Sequence, residues 1–320
     1  SVGMAVELLA DMVLNSTLPP EEVERERNVI LREIDMGQDD PDHRLAESLF
    51  ATAFRTHPFR HPIIGHRDLF AAVTRDELLR YYRARYVADN LAVVVVGDID
   101  PVGVEADVRR HFGGVKRAAL APVLVPDEAR QLGPRSLHRF EDVEVARAGL
   151  AWQIPGLTHP DAVALEALAT VLGAGDSSLL WQEIRERAGL VHAIDATSWN
   201  PGSVGLFYIS FTCEPDKREA ATAAVQAALQ RWGRRGISAA LVRKAVRQLV
   251  VGEINTRKTM AGQAARLGAA EVVIGDLDFS RTYFERLVAL RPADLQRVLR
   301  TYLQPHGLTS VSLNPAAAVS

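Results

Sequence analysis

With one cysteine in 320 residues, Cys213, the chain has no internal disulfide framework and no multi-cysteine metal cluster. Cys213 sits in an alternating apolar segment, the pattern of a strand residue in a core rather than of a nucleophile. Charge of one sign is also lacking. The 37 basic and 40 acidic residues leave a formal net charge of -3 with no sustained basic run, so no nucleic acid and no anionic membrane is expected as the main partner. Arg231, Arg234 and Arg235 beside Trp232 read as a solvated helix end. No stretch approaches about 18 uncharged apolar residues, so no membrane-spanning helix is expected. The first residues carry no secretory leader, and the compartment stays open between cytoplasm, matrix and periplasm.

What the chain does contain is an internal repeat. Val73-Thr74-Arg75-Asp76-Glu77-Leu78 opens a helix, followed by Asn90-Leu91 and an apolar run over 92–96. Leu290-Arg291-Pro292-Ala293-Asp294-Leu295 opens another, followed by Gly307-Leu308 and a weaker run over 309–313, at an offset of 217 positions. The second copy begins near Leu137, so a complete first copy is expected to extend before Ser1. The chain therefore reads as one and a half modules of a two-module unit. Residues 1–117 form the later part of a first module truncated at its N-terminus, 118–136 a proline-containing linker, and 137–320 the second module.

Apolar spacing and breakers place the elements. Residues 2–14 have helical spacing, and Pro19-Pro20 separates them from a helix over 21–36 with Val23, Ile30 and Ile34 on one side. Helices are also expected at 43–54, 74–86 with Thr74 and Glu77 as a capping box, and 101–112. In the second module they are expected at 161–172, 179–186, 217–232 and 239–270, the last interrupted by glycines. Strands are expected at 92–96, 146–153, 192–198, 205–213 and 309–313. The alternation predicts an α+β fold of two homologous modules, each with a mixed or antiparallel sheet covered on one side by helices.

Glu26 and Glu33 lie seven positions apart, two helical turns, so both carboxylates share one side of the 21–36 helix. Such a pair suits a divalent metal, with one oxygen as ligand and its neighbour orienting it. In a segment as charged as Glu21-Glu22-Val23-Glu24-Arg25-Glu26-Arg27, the alternative is solvated glutamates in helix ion pairs.

The longer segment Glu24-Arg25-Glu26-Arg27-Asn28-Val29-Ile30-Leu31-Arg32-Glu33-Ile34 resembles the stretch downstream of the inverted zinc motif in pitrilysin/insulinase-like peptidases. That family includes the mitochondrial processing peptidases and bacterial relatives. Asp39-Asp40-Pro41, His57-Pro58, Pro62-Ile63-Ile64-Gly65, Tyr86, Asn90-Leu91 and Val95-Val96-Gly97-Asp98 continue the resemblance in order. Gly175-Asp176-Ser177-Ser178-Leu179 and Arg185-Glu186-Arg187-Ala188-Gly189-Leu190 extend it over essentially the whole chain.

The resemblance implies a zinc metalloendopeptidase with its two modules facing each other as a clamshell. In the family an inverted His-x-x-Glu-His helix supplies two zinc ligands and a general base, and a later glutamate supplies the third ligand. Zinc and the motif glutamate activate water, which attacks a peptide carbonyl. Glu33 holds the third-ligand position, on the inner surface of the first module, and Glu26 matches the acidic residue that supports it. Arg185 matches an arginine that reaches the substrate from the second module.

The sequence departs from the pattern in two places. No His-x-x-Glu-His occurs; among the nine histidines only His57 and His61 stand four apart, with Arg60 where the base belongs and Pro58 and Pro62 opposing a helix. Those two read as loop histidines. His192 stands where active relatives carry a tyrosine, seven residues after the arginine. It can still donate to a developing oxyanion, and the alternative is an ordinary sheet residue beside the cleft. The 217-residue offset sets Val250 against Glu33 and Arg243 against Glu26, so the second module is not a metal module. Its expected work is to close over a peptide and offer a sheet edge to an extended substrate.

Two functions follow from the resemblance. The first is a zinc metalloendopeptidase whose chain, without the histidine motif, binds zinc weakly and is inactive by itself. The second is a non-catalytic partner subunit or peptide-binding scaffold of a heteromeric peptidase. Glu33 favours the first and His192 the second. The expected partners are a peptide substrate and either an N-terminal segment or a homologous subunit, in a homodimer or heterodimer.

Overall fold

A computed structural model describes residues 1–316. Helices α1 (Val2–Leu14), α2 (Pro20–Asp39), α3 (Pro41–Ala53), α4 (Arg67–Ala72), α5 (Arg75–Arg85) and α6 (Pro101–Phe112) form the first part. Strands β1 (Arg135–Glu141) and β2 (Ala146–Pro155), helix α7 (Ala162–Gly173), and strands β3 (Ala193–Trp199) and β4 (Val204–Cys213) follow. The chain continues through α8 (Arg218–Arg235), α9 (Ala239–Thr256), α10 (Met260–Ala269), α11 (Phe279–Val288) and α12 (Pro292–Tyr302) to β5 (Thr309–Pro315). The mixture of helices with one sheet is the α+β class that the sequence predicts.

The chain packs as two compact units. One holds Ser1–Met36, Ile64–Leu124 and Asn255–Leu277; the other holds Gly37–Ile63, Val125–Ile254 and the chain from Asp278 onward. The second unit contains the sheet, in the order β1-β5-β2-β4-β3. β1 runs parallel to β5 and the other pairs are antiparallel.

Alternation along the strands sends apolar side chains to both faces of this sheet. Leu150, Trp152 and Ile154 of β2 and Phe207, Ile209 and Phe211 of β4 join one buried core with residues of α7, α8 and α12. Cys213, at the end of β4, is buried there, and burial pushes its thiol up to about 11, an inert core residue as expected. Ala151, Leu206, Val311 and Leu313 form the opposite face and pack with Leu45, Leu49, Ala53 and Phe54 from α3 and its end. A side chain at Gly149 would meet Leu49 at 3.0 Å, so glycine lets α3 approach β2 closely. Covering by helices on one side only is thus corrected: a sheet apolar on both faces needs cover on both.

The cover on the second face comes from the first repeat. Its counterpart at the 217-residue offset, α10, belongs to the other unit, where a side chain at Gly268 would meet Val94 at 3.8 Å. The two repeats have exchanged their third helices.

In the first unit, α1 buries Val6 and Ala10. The Tyr82 hydroxyl donates to the Val13 carbonyl at 2.7 Å and accepts from the Ser16 N–H at 3.2 Å, fixing the turn after α1. The Thr74–Glu77 capping box opens α5 as the sequence predicts. The strand expected over 92–96 does not form. Those residues are extended, but among the described residues every ladder lies in the second unit, and an apolar run without a partner is not a strand.

The helix expected over 239–270 breaks at 257–259, where the Thr259 hydroxyl accepts the Gly262 N–H at 3.0 Å and starts α10. β1 was not anticipated from the sequence. The stretch 118–134 has no regular structure, yet its second half is anchored in the second unit. Gln131 donates to the Leu308 carbonyl at 2.9 Å and accepts from the Thr309 hydroxyl at 3.1 Å.

Candidate functional site

The charged helix α2 distributes its acids unevenly. Glu22 pairs with Arg25 at 3.0 Å and Glu24 with Arg27 at 3.2 Å, the i,i+3 ion pairs expected of such a segment. Arg27 also donates to the carbonyls of Phe70 and Ala71 at the end of α4, at 3.2 and 3.4 Å. Asp35 takes a two-pronged contact from Arg67, at 2.8 and 3.3 Å, and that guanidinium holds its carboxyl below the usual range. Val23 and Ile34 are buried.

Glu26 and Glu33 take no part in this docking. Both are exposed, and neither carboxylate makes a hydrogen bond or ion pair with the described residues. The seven-residue spacing thus sets two unengaged carboxylates along one side of a helix whose other side is fixed by packing. Zinc does not fit the described residues by themselves. No three histidine, cysteine, aspartate or glutamate side chains among them lie close enough together to hold a metal ion, and a catalytic zinc takes three protein ligands. The His57–His61 spacing does not make up the set. His57 is buried between Phe54 and Phe59, and its Nδ1 accepts the Phe59 N–H at 3.2 Å.

Arg185 and His192 lie in the second unit, and the backbone brings them together. Arg185 sits in a π-helical turn, Trp181–Arg187, a form of helix frequent at functional sites. Its guanidinium stacks over the Trp181 ring at 4.2 Å, its Nε donates to the His192 carbonyl at 2.7 Å, and it pairs with Glu186. The His192 Nε2 is 3.1 Å from the Glu214 carboxylate, while its backbone N–H donates to the Thr212 carbonyl at 2.8 Å. Lys217 holds the intervening turn through the Gly189 carbonyl at 3.0 Å, where the glycine has φ 60°. Both side chains stay half exposed. Each already has an acidic neighbour, but the Arg185 Nη2 takes no part in the contacts with Glu186 and the His192 carbonyl and is left to donate to a further acceptor.

Trp181 was not singled out from the sequence, although a tryptophan four residues before Arg185 on one helix is a stacking arrangement. It also lines a cavity of about 390 Å³ at the start of β3, together with Ile194, Asp195, Ser210 and Phe211. β3 is an edge strand, with β4 its one neighbour among the described residues. Glu214 was missed as well, because its relation to His192 depends on the β3–β4 register.

Comparison with known proteins gives this geometry its context. A sequence profile described as "Peptidase M16 inactive domain" matches residues 72–249, and one described as "Insulinase (Peptidase family M16)" matches residues 1–67. An uncharacterized zinc protease of Mycobacterium tuberculosis is 31% identical over 274 residues, which is 85% of this chain and 63% of that protein. One of Bacillus subtilis is 26% identical over 294 residues, 92% of this chain and 70% of that protein. The chain therefore spans less than two thirds of the mycobacterial relative.

Among solved structures, a protease from Helicobacter pylori superposes with a TM-score of 0.90 at 26% identity, covering 98% of this chain and 77% of that one. A peptidase M16 inactive domain from Pseudomonas fluorescens shares the fold with a TM-score of 0.88 at 20% identity, covering 99% of this chain and 75% of that one. With a family profile matching more than half of its residues and these relatives alongside, the chain belongs to the insulinase family of peptidases, M16.

Proposed function

We propose that this chain is part of a zinc-dependent metalloendopeptidase that cleaves peptides or unfolded protein segments. The observation that carries the reading is the pair of unengaged carboxylates on α2. Glu22, Glu24 and Asp35 of the same helix are ion-paired, whereas Glu26 and Glu33 stay free, as do Glu21 and Asp39 at its ends; of these only Glu26 and Glu33 stand two turns apart in its middle. In this reading Glu33 gives one carboxylate to the metal and Glu26 supports it. Arg185 and His192 contact the peptide, with Trp181 holding the guanidinium flat against its ring. Relatives named as zinc proteases support the metal.

A second reading, a non-catalytic partner subunit or peptide-binding scaffold of the same kind of peptidase, has its own observation. The profile that matches 72–249 describes an inactive domain, and His192 is tied to Glu214.

Zinc titration by calorimetry, run beside a peptide-cleavage assay, tests both. The 320-residue chain alone is expected to take up no stoichiometric tight zinc and to leave peptides intact. Assembled with a polypeptide that brings two histidine ligands, it is expected to bind one zinc and cleave in a chelator-sensitive way. Chelator-sensitive cleavage by the chain alone overturns the first reading. An assembly that binds peptide but neither zinc nor cleaves establishes the second.

A further inference from the structure

Where β4 ends at Cys213, Glu214 opens the turn Pro215–Lys217, which the Lys217 N–H closes by donating to the Glu214 carbonyl at 3.0 Å. Across the ladder, the His192 N–H donates to the Thr212 carbonyl at 2.8 Å. Backbone thus fixes both residues at one end of the β3–β4 pair, and the Glu214 carboxylate meets His192 Nε2 at 3.1 Å. His192 Nδ1 has no partner among the described residues, and the side chain is 52% exposed. One ring nitrogen is held and the other is open.

The other charged groups of the neighbouring elements have different partners or face water. In the π-helical turn, Arg185 is bonded to the His192 carbonyl and to Glu186, Glu183 pairs with Arg231, and Arg187 is exposed. After β4, Lys217 is bonded to the Gly189 carbonyl, Arg218 pairs with Glu219 at 3.1 Å, and Asp216 is exposed. On β3 itself, Asp195 accepts from the Ser210 hydroxyl. The buried Cys213 thiol is neutral. Glu214 is therefore the carboxylate that the ring touches.

A carboxylate at Nε2 requires hydrogen on that nitrogen. A neutral ring that keeps it there has a bare lone pair at Nδ1, which repels a carbonyl oxygen. The imidazolium carries hydrogen on both nitrogens, so it stays on Glu214 and donates outward at the same time. We propose that His192 meets the peptide as an imidazolium: Glu214 takes its Nε2–H, and its Nδ1–H donates to a carbonyl oxygen of the peptide backbone. Glu214 is a positioning residue and touches no substrate itself. This role rests on the reading that Arg185 and His192 contact a peptide, and it sets the pH at which they do so. Peptide contact is strongest at the acidic end of the imidazole range, about pH 5 to 8, and is lost as pH rises through it.

The test is fluorescence polarisation of the full chain with a rhodamine-labelled, N-acetylated, C-amidated peptide of leucine, serine and lysine. That probe has no group that titrates between about pH 6 and 8.5. Affinity is expected to fall at least about fivefold from pH 6 to pH 8.5, through loss of a charged hydrogen bond. His192→Phe should bind weakly and equally at both values. His192→Tyr should also bind equally at both, but more tightly, because a phenol keeps its proton up to about pH 10. Glu214→Gln should weaken binding at pH 6 by roughly two- to fivefold, the scale of an exposed ion pair, and change little at pH 8.5. In the peptide-saturated chain, ring nitrogen shifts should show His192 protonated on both nitrogens at pH 6. Matching unfolding transitions establish that the variants fold.

Arg185→Ala separates this role from the contact beneath it. If that variant binds more weakly but the parent's affinity is flat with pH, the proposal is overturned and the contact stands. The same follows if His192→Phe keeps the parent's pH dependence, or if Nδ1 is bare in the peptide-bound chain at pH 6. If neither Arg185→Ala nor His192→Phe alters binding, or the chain takes up no peptide, the contact itself is refuted and this role with it.

Discussion

Leu8 and Val225 occupy the same position of the internal repeat, and the first is exposed on α1 while the second is fully buried in α8. Helix geometry is the same at both places; only what lies opposite differs. Removing the side chain should therefore have unequal effects. Val225→Ala is expected to cost about 2 kcal/mol of stability, from lost burial plus the cavity left behind. Leu8→Ala in the isolated chain is expected to stay within about 0.5 kcal/mol of the parent. Urea unfolding of both variants measures the difference, and equal losses would mean that Leu8 is already covered.

Glu128 ties the anchored half of the 118–134 stretch to the loop after α3. Its carboxylate accepts the backbone N–H groups of Arg55, Thr56 and His57 at 2.8 to 2.9 Å and the Thr56 hydroxyl at 2.9 Å. Burial raises its pKa, but these hydrogen bonds to the charged form outweigh that and hold it at about 2, below its ordinary 4.5. A depressed folded-state value stabilises above the unfolded value and loses that contribution as pH falls. Stability is expected to decline between about pH 4.5 and pH 2, by up to about 3 kcal/mol from this group. Glu128→Gln should be less stable than the parent at pH 7 and converge with it near pH 2. A constant gap across that range would remove the carboxylate from the account.

Glu26 and Glu33 share a helix side, and the proposed roles separate them. In a zinc-loaded assembly, Glu33→Gln is expected to lower zinc affinity more than 100-fold, because it removes a ligand. Glu26→Gln is expected to lower it by roughly 10- to 100-fold, the range for a residue that supports a ligand. Asp35→Asn, which disturbs the contact with Arg67, should leave zinc affinity alone. Competition with a chromophoric chelator gives all three values, and full affinity and turnover in Glu33→Gln would take that residue out of the site.

The exchange of third helices predicts where a core mutation is felt. Leu49 belongs to the first repeat by sequence but packs on the sheet of the second unit, 2% exposed. Leu49→Ala is expected to cost about 3 kcal/mol. Hydrogen exchange should rise in β2 and β5 while α1 and α6 keep their protection. The opposite pattern, with loss in α1 and α6 and an unchanged sheet, would contradict the packing.

Much of this architecture is legible in the sequence because it is local. Thr74 with Glu77 and Asp100 before Pro101 mark helix starts that the structure reproduces. The seven-residue spacing of Glu26 and Glu33 was readable for the same reason, whereas Arg185 and His192 were singled out only by the family resemblance. What escaped depends on partners distant in the chain. The valines of 92–96 have strand character, but a ladder needs a neighbour that local pattern cannot supply. β1 is largely exposed on the sheet edge, so it shows no alternation to detect. Nothing in the apolar spacing of α3 states which sheet it will cover, and Glu214 reaches His192 only through strand register.

The exchanged helix also sets an order of events during synthesis. Leu49 leaves the ribosome well before Val311 and Leu313, part of its seat. At ordinary translation rates of about 5 to 20 residues per second, α3 waits roughly ten to fifty seconds for that seat. β5, the strand between β1 and β2, arrives at the same late moment. The second unit therefore cannot close its sheet until β5 has emerged, and the apolar face of α3 lacks part of its seat until then.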